Sequence, residues 1–309
     1  MNPMPRIAVL CNNRMAVPAL QTLHGMGKLC ALGFPENNTD ILDYCSAFSA
    51  QTGVPQRLFR KEGLGEQLRS WTSEQRVDVV FMMTFPWKLP AEVLNGPAAF
   101  YNFHYGLLPG MRGADPVFEC LRQQKTETGI TVHAVEKDID RGAVLFRQVL
   151  PLPGDTTHGM LCTWLSHLGA RIVPEVLASL SKDLQPQDES AAQYFKRPGI
   201  AEVCIRWEAQ DAAAAAALAR ACNPWNKGAY TQWNGWNVRV VEATPLATTA
   251  GTALPGTVVS IDSQGGLCVQ CRDNTQLKID IIYTDEGFMA GHRLLSFGMK
   301  KGDRFITIQ

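Results

Sequence analysis

Asn102 and His104 stand two residues apart in the stretch Tyr101-Asn102-Phe103-His104. Side chains at i and i+2 of an extended backbone point to the same face, so the amide and the imidazole project together. An amide N–H donor beside a titratable ring suits acyl transfer. There a carbonyl oxygen gains negative charge and a proton must move. Pro109, Gly110 and Gly113 then turn the chain sharply. The spacing is weak evidence by itself, because a lone histidine on an apolar strand is more often a hydrogen-bonded core residue.

The longer pattern is more specific. Asn102-x-His104-x-x-Leu107-Leu108-Pro109-x-x-Arg112-Gly113 resembles a signature of the formyltransferases that use 10-formyltetrahydrofolate. A second match follows in order: Glu127-Thr128-Gly129-Ile130-Thr131-Val132-His133, then the turn Asp138-Ile139-Asp140-Arg141-Gly142. The resemblance implies that Asn102 and His104 flank a formyl oxygen and that Asp140 is the third catalytic group. A carboxylate beside an imidazole favours its charged form, so the imidazole's pKa is expected to rise. One oxyanion donor is worth ~3 kcal/mol of barrier. Asp138 is the competing carboxylate, and the family's acid lies two residues before the glycine, which favours Asp140.

The same resemblance assigns the folate contacts. Pro86, Trp87, Lys88 and Leu89 sit in a loop that lines the pteridine pocket through backbone groups. Leu107, Leu108 and Pro109, with Glu136, Lys137, Asp138 and Ile139, complete the cofactor-binding set. No metal is implied. Cys268-x-x-Cys271 has a ligand-like spacing but no second pair or nearby histidine, so it reads as part of a strand.

The elements that must carry these groups are legible. Residues 7–11, 29–34 and 77–83 are apolar runs suited to buried parallel strands. A helix beginning near Val17 follows the first run, giving a strand–loop–helix start. The first loop, Asn12-Asn13-Arg14, lacks the glycines of a dinucleotide fold. Residues 98–104 form the strand that delivers Asn102 and His104. A helix over 117–124 follows, then strands 130–135 and 143–150 joined by the acidic turn. Asp155-Thr156-Thr157 is expected to cap one long helix reaching residue 181.

Residues 182–199 are polar, with Pro186 and Pro198, and read as a linker. An alanine-rich helix capped by Asp211 follows. The stretch Arg220-Ala221-x-Asn223-Pro224-x-x-Gly228-Ala229-Tyr230 is similar to the opening of the C-terminal domain of tRNA-formylating members. Short alternating segments at 205–207, 238–243, 256–261, 267–271, 276–282 and 304–308 suggest a small β-barrel. The expected architecture is α/β: a Rossmann-like, mostly parallel sheet with a smaller, OB-like C-terminal barrel. Its parts are a catalytic domain over 1–183, a linker over 184–204 and the barrel over 205–309.

The chain has 309 residues with 29 basic and 29 acidic side chains. That balance gives no global pull toward nucleic acid or anionic membrane. The scattered cysteines read as reduced thiols, and no signal peptide or spanning segment is legible, so a cytoplasmic location is expected. Residues 35–43 carry Glu36, Asp40 and Asp43 and no basic residue, where the tRNA-acting members carry a basic insertion. From Ile200 onward ten Lys/Arg face ten Asp/Glu. The expected acceptor is therefore a primary amine on an amino sugar or amino-acid derivative. A tRNA acceptor or water, in a hydrolase, are the alternatives; a non-catalytic folate binder has no need of all three site groups. Three positions depart from the family. Gly106 replaces a serine, Ala114 stands where members acting on a nucleotide-linked aminoarabinose carry an arginine, and Arg141 replaces a threonine or alanine.

Overall fold

The computed structural model describes residues 5–37, 39–246 and 253–308. In chain order the first elements are β1 (Ile7–Cys11), α1 (Val17–Gly25), β2 (Leu29–Pro35), α2 (Thr39–Thr52) and β3 (Gln56–Phe59). Next come α3 (Leu64–Glu74), β4 (Val79–Met83), α4 (Ala91–Leu94), β5 (Ala99–His104), β6 (Arg112–Gly113) and α5 (Pro116–Arg122). Then follow β7 (Glu127–Ala134), β8 (Val144–Pro151), α6 (His158–Arg171), α7 (Val173–Ser179) and β9 (Tyr194–Phe195).

Seven of these strands form one sheet in the order β3-β2-β1-β4-β5-β7-β8. The pairs from β3 to β5 are parallel, and β7 runs antiparallel to β5. Every residue of β1 and β4 is buried, as continuous apolar runs require when helices cover both faces. On one face Leu68 and Trp71 of α3 pack with Phe59, Leu10, Val80 and Met82. The chain reverses its strand order beside β1, so β4 and β5 end where a doubly wound sheet opens its crevice.

The helix expected over 155–181 is two helices. Pro174 has no N–H to donate and its ring clashes with the preceding turn, so the first helix stops at Arg171 and Pro174 opens α7. The cap also differs: Thr157 Oγ1 accepts from Met160 N at 3.3 Å, while the Thr156 hydroxyl turns back to Pro153 O.

The remaining elements are α8 (Ile200–Val203), α9 (Ala212–Ala221), β10 (Ala229–Trp233), β11 (Trp236–Leu246), β12 (Val258–Asp262), β13 (Gly266–Gln270), β14 (Gln276–Thr284) and β15 (Gly287–Ala290). The strands make an antiparallel sheet in the order β10-β11-β14-β13-β12, with β15 on β14. Of the segments expected as strands, 304–308 contributes isolated bridges only, and 205–207 contributes none, the adjoining Cys204 bridging Tyr230 instead. Ile306 pairs with Gln232 and Arg304 with Thr257, which joins the sheet's two edges through the last residues of the chain. Trp207 is fully buried here, stacks on Phe305, and donates its ring N–H to Thr231 Oγ1 at 2.9 Å. The alanine run is the helix α9, with Asp211 Oδ1 accepting from Ala214 N at 2.8 Å. Its small side chains let the helix approach the sheet closely. Cys268 and Cys271 are buried free thiols, and burial pushes Cys271 up to about 12.

The chain forms two compact units that are not continuous in sequence. Residues 1–113, 128–151 and 162–195 make the first, and residues 114–127, 152–161 and 196–309 the second. Of the stretch read as linker, residues up to Phe195 thus belong to the first unit.

Candidate active site

The antiparallel register between β5 and β7 builds the site. Asn102 stands opposite His133, and His104 opposite Thr131. Directly opposed residues share a face, so four polar side chains from two strands gather on one side of the sheet. His104, Thr131 and His133 are buried there, with no more than 5% of their surface exposed. The fifth group arrives from the turn after β7. Asp140 sits in the left-handed region at φ 57°, and its carboxylate is 7% exposed.

Asp140 is the hub. Its Oδ1 lies 3.5 Å from His104 Nδ1, 3.4 Å from His133 Nε2 and 3.5 Å from Asn102 Nδ2. Its Oδ2 accepts the Gly113 N–H at 2.9 Å. Burial pushes this carboxyl up, but His104, the His133 hydrogen bond and the Gly113 N–H outweigh it and hold it at about 2. The carboxylate is therefore ionised at neutral pH. Asp138, two residues earlier, has an exposed side chain that meets Arg141 at 3.6 Å.

His104 departs from the simple expectation. Asp140 does raise its pKa, yet burial is the larger effect and the net shift is downward from 6.5. Its Nε2 meets Met111 O at 2.6 Å while Nδ1 faces the carboxylate. Both neighbours are acceptors and favour the imidazolium; the loss of water opposes it and prevails. Burial thus biases the ring toward its neutral form. His133 orients differently: Nδ1 donates to Ala134 O at 2.8 Å, and Nε2 faces both Asn102 Nδ2 at 3.3 Å and Asp140 Oδ1 at 3.4 Å.

The other groups singled out in the sequence are placed unevenly, and the cavity lined by the 86–88 loop includes none of the cluster residues. Leu108 is buried, follows Leu107 directly, and donates its N–H to Thr131 Oγ1 at 3.1 Å; Pro109 follows through a cis peptide bond. The Thr131 hydroxyl donates in turn to Gly106 O at 2.8 Å. The Arg147 guanidinium donates to Leu108 O. Glu136, Lys137, Asp138 and Ile139 are exposed on the turn that ends at buried Asp140. The loop after β4 begins with Thr84 at φ 64° and carries Trp87 edge-on to Phe85. Pro86, Trp87 and Lys88 line one wall of a cavity of ≈ 440 Å³ whose other wall is residues 61–65; Leu89 is buried.

His133 and Thr131 were inside the quoted motif but had no assigned role. Period-two alternation in residues 130–133 puts them on one face, and that signal could have found them. The Gly113 N–H left none.

A Rossmann-like sheet whose strand β5 and the turn after β7 gather amide, imidazole and carboxylate in one buried cluster offers groups suited to acyl transfer. Comparison with known proteins narrows this. The "Formyl transferase" family model matches residues 44–177, and the "Formyl transferase, C-terminal domain" model matches residues 200–293. A methionyl-tRNA formyltransferase of Aromatoleum aromaticum is 33% identical over 247 residues, covering 78% of this chain and 76% of that protein. Among solved structures, an N-formyltransferase from Helicobacter canadensis in complex with folinic acid and dTDP-3-aminofucose aligns with TM-score 0.67 at 14% identity, over 89% of this chain and 98% of that one. HypX from Aquifex aeolicus, in complex with tetrahydrofolic acid, aligns with TM-score 0.65 at 16% identity over 95% of this chain. This chain spans about half of that protein, 47%. At these identities the two structures show the fold. The chain belongs to the formyl transferase family. Members of this family are formyl-transferring enzymes that use formyltetrahydrofolate.

Proposed function

We propose that this enzyme moves the formyl group of 10-formyltetrahydrofolate onto the primary amine of a small molecule, an amino sugar or amino-acid derivative. The reaction forms one carbon–nitrogen bond at the formyl carbon and breaks another. One proton passes from the attacking amine to the departing folate nitrogen. Asn102 Nδ2 and His104 flank the formyl oxygen and stabilise the negative charge it gains. His104 takes the proton from the amine and passes it on to the departing folate nitrogen. Asp140, ionised, stabilises the imidazolium that results. The loop 86–89, Leu107 to Pro109 and the turn 136–139 hold the folate.

The buried meeting of His104 and Asp140 carries the chemical part of this reading. The acceptor rests on charge. Ten basic residues against ten acidic ones from Ile200 onward offer no excess for docking a phosphate backbone. Glu36, in the acidic stretch after β2, pairs with Arg60 at 2.7 Å; the side chain of Asp40 lies outside the described residues. The sugar N-formyltransferases of like fold support the same acceptor class.

A tRNA acceptor is the second reading. Methionyl-tRNA formyltransferases at about a third identity, matching across both units, favour it.

The test is tetrahydrofolate release from 10-formyltetrahydrofolate across a panel of amines: nucleotide-linked amino sugars, ornithine-type amino acids and charged initiator tRNA. Release that depends on one small amine, with a product heavier by one formyl group, supports the proposal. Release only with tRNA replaces it with the second reading, and release without any amine identifies a hydrolase.

A further inference from the structure

The turn that carries Asp140 is held from outside the signature motifs. Gln187 lies in the stretch that reads as a polar linker. Its Nε2 donates to Asp140 O at 2.9 Å and to Gly142 O at 2.7 Å, so one amide grips the turn on both sides of Arg141. The Gln187 Oε1 accepts from Arg112 Nη2 at 2.8 Å and Nε at 3.2 Å. Arg112 is 5% exposed and also donates to Glu189, through Nη2 at 2.7 Å and Nη1 at 3.0 Å. Glu189 accepts from Arg141 Nη2 at 2.9 Å as well.

The backbone repeats the connection. Gln185 exchanges two hydrogen bonds with Val144, just past the turn. Gln193 O accepts from Arg112 N at 3.0 Å, Gln193 N donates to Pro109 O at 3.1 Å, and β9 pairs with β6. The Gly113 N–H on β6 is the one that grips Asp140 Oδ2. Residues 185–195 thus tie together the loop after β5 and the turn after β7. Asp140 needs such support: a non-glycine residue in the left-handed region costs roughly 1–3 kcal/mol unless its surroundings impose it.

We propose that Gln187 is a positioning residue for Asp140, and that residues 185–195 are a strap that sets the catalytic turn rather than a spacer between units. The strap rests on the reading of Asp140 as the third catalytic group. It also gives the Arg141 departure a use, since that side chain anchors to Glu189 where a threonine or alanine could not.

The experiment is a double-mutant cycle in the full chain. Gln187→Met keeps the volume and removes both donors; Gln187→Glu keeps an acceptor for Arg112 and also removes them. Each is made alone and with Asp140→Asn. Turnover is read with 10-formyltetrahydrofolate and the most active amine of the panel, and the His104 titration is followed by NMR. Gln187→Met is expected to lower kcat by about tenfold in the parent and by less than about twofold in the Asp140→Asn background, as coupled neighbours do. The His104 midpoint is expected to move further down in the parent background only, because the carboxylate drifts from the ring. Equal losses in both backgrounds, or an unmoved His104 midpoint, overturn the strap. If Gln187→Met does not fold, the same outcomes are read from Gln187→Glu. Should Asp140→Asn alone leave turnover intact, the reading of Asp140 fails first, and the two failures stay distinct.

Discussion

His133 stands directly across the sheet from Asn102, with its Nε2 3.3 Å from the Asn102 amide nitrogen and 3.4 Å from Asp140 Oδ1. This ring holds the donor end of the amide in the cluster and fixes which way Asn102 points. His133→Leu removes the ring nitrogen that Asn102 and Asp140 share in a buried site. It is expected to cost ~1–3 kcal/mol in unfolding free energy and to lower kcat more than it raises KM for 10-formyltetrahydrofolate. Steady-state kinetics and urea unfolding on one preparation check both.

Removing either group proposed to flank the formyl oxygen should act on the transition state. Asn102→Ala and His104→Ala are each expected to reduce kcat by ~10²–10³-fold. Folate binding by fluorescence titration should stay near that of the parent. Turnover left unchanged by His104→Ala would sink the proposed mechanism.

The pH dependence of stability has a defined sign. The Asp140 carboxyl is held at about 2 against an ordinary 3.8, so its contribution is present above about pH 4 and lost as pH falls toward 2. The shift amounts to about 2 kcal/mol. His104 is also lowered, so the unfolded chain gains a proton there first, and stability begins to fall as pH drops below 6.5. Urea unfolding between pH 8 and 3 should show this decline, and Asp140→Asn should flatten its lower part.

Gly113 and Gly142 are places where a side chain does not fit. Gly113 adopts φ 118°, and a Cβ there would lie 1.9 Å from Phe195 O; at Gly142 it would lie 1.8 Å from Ala134 O. Gly113→Ala should displace the N–H that holds Asp140 and part β6 from β9. A loss of roughly 1–3 kcal/mol is expected for each alanine variant, read by thermal unfolding. A parental melting temperature in Gly113→Ala would contradict this close approach.

In the second unit, Trp207 fills the core of the antiparallel sheet against Phe305. Trp207→Ala should cost ~3–5 kcal/mol, measured by denaturant unfolding. Trp207→Phe should recover much of the packing while losing the ring N–H bond to Thr231 Oγ1, whose hydroxyl still donates to Ile306 O.

Much of this molecule is written locally. The apolar runs of β1 and β4 can only be buried strands, and Asn-x-His on a strand must present both groups together. Asp211 before an alanine run starts a helix wherever it lies. Pro174 was equally visible as a break, and the helix does stop there. Ala229 to Trp233 alternates buried and half-buried residues, the local pattern of a strand.

The sequence by itself carried the class of enzyme, through the resemblance of its two ordered motifs to the formyltransferases. Tertiary structure decided how Asn102, His104 and Asp140 stand toward each other. The antiparallel register of β5 and β7 put His133 against Asn102, and no one-dimensional pattern states a register between distant strands. Folding also reversed the expected shift of His104, since a pKa depends on water excluded by residues far away in the chain. The same holds for residues 185–195: their composition is that of a loop, and only their hydrogen bonds to Arg112, Asp140 and Gly142 tie them to the turn that carries Asp140.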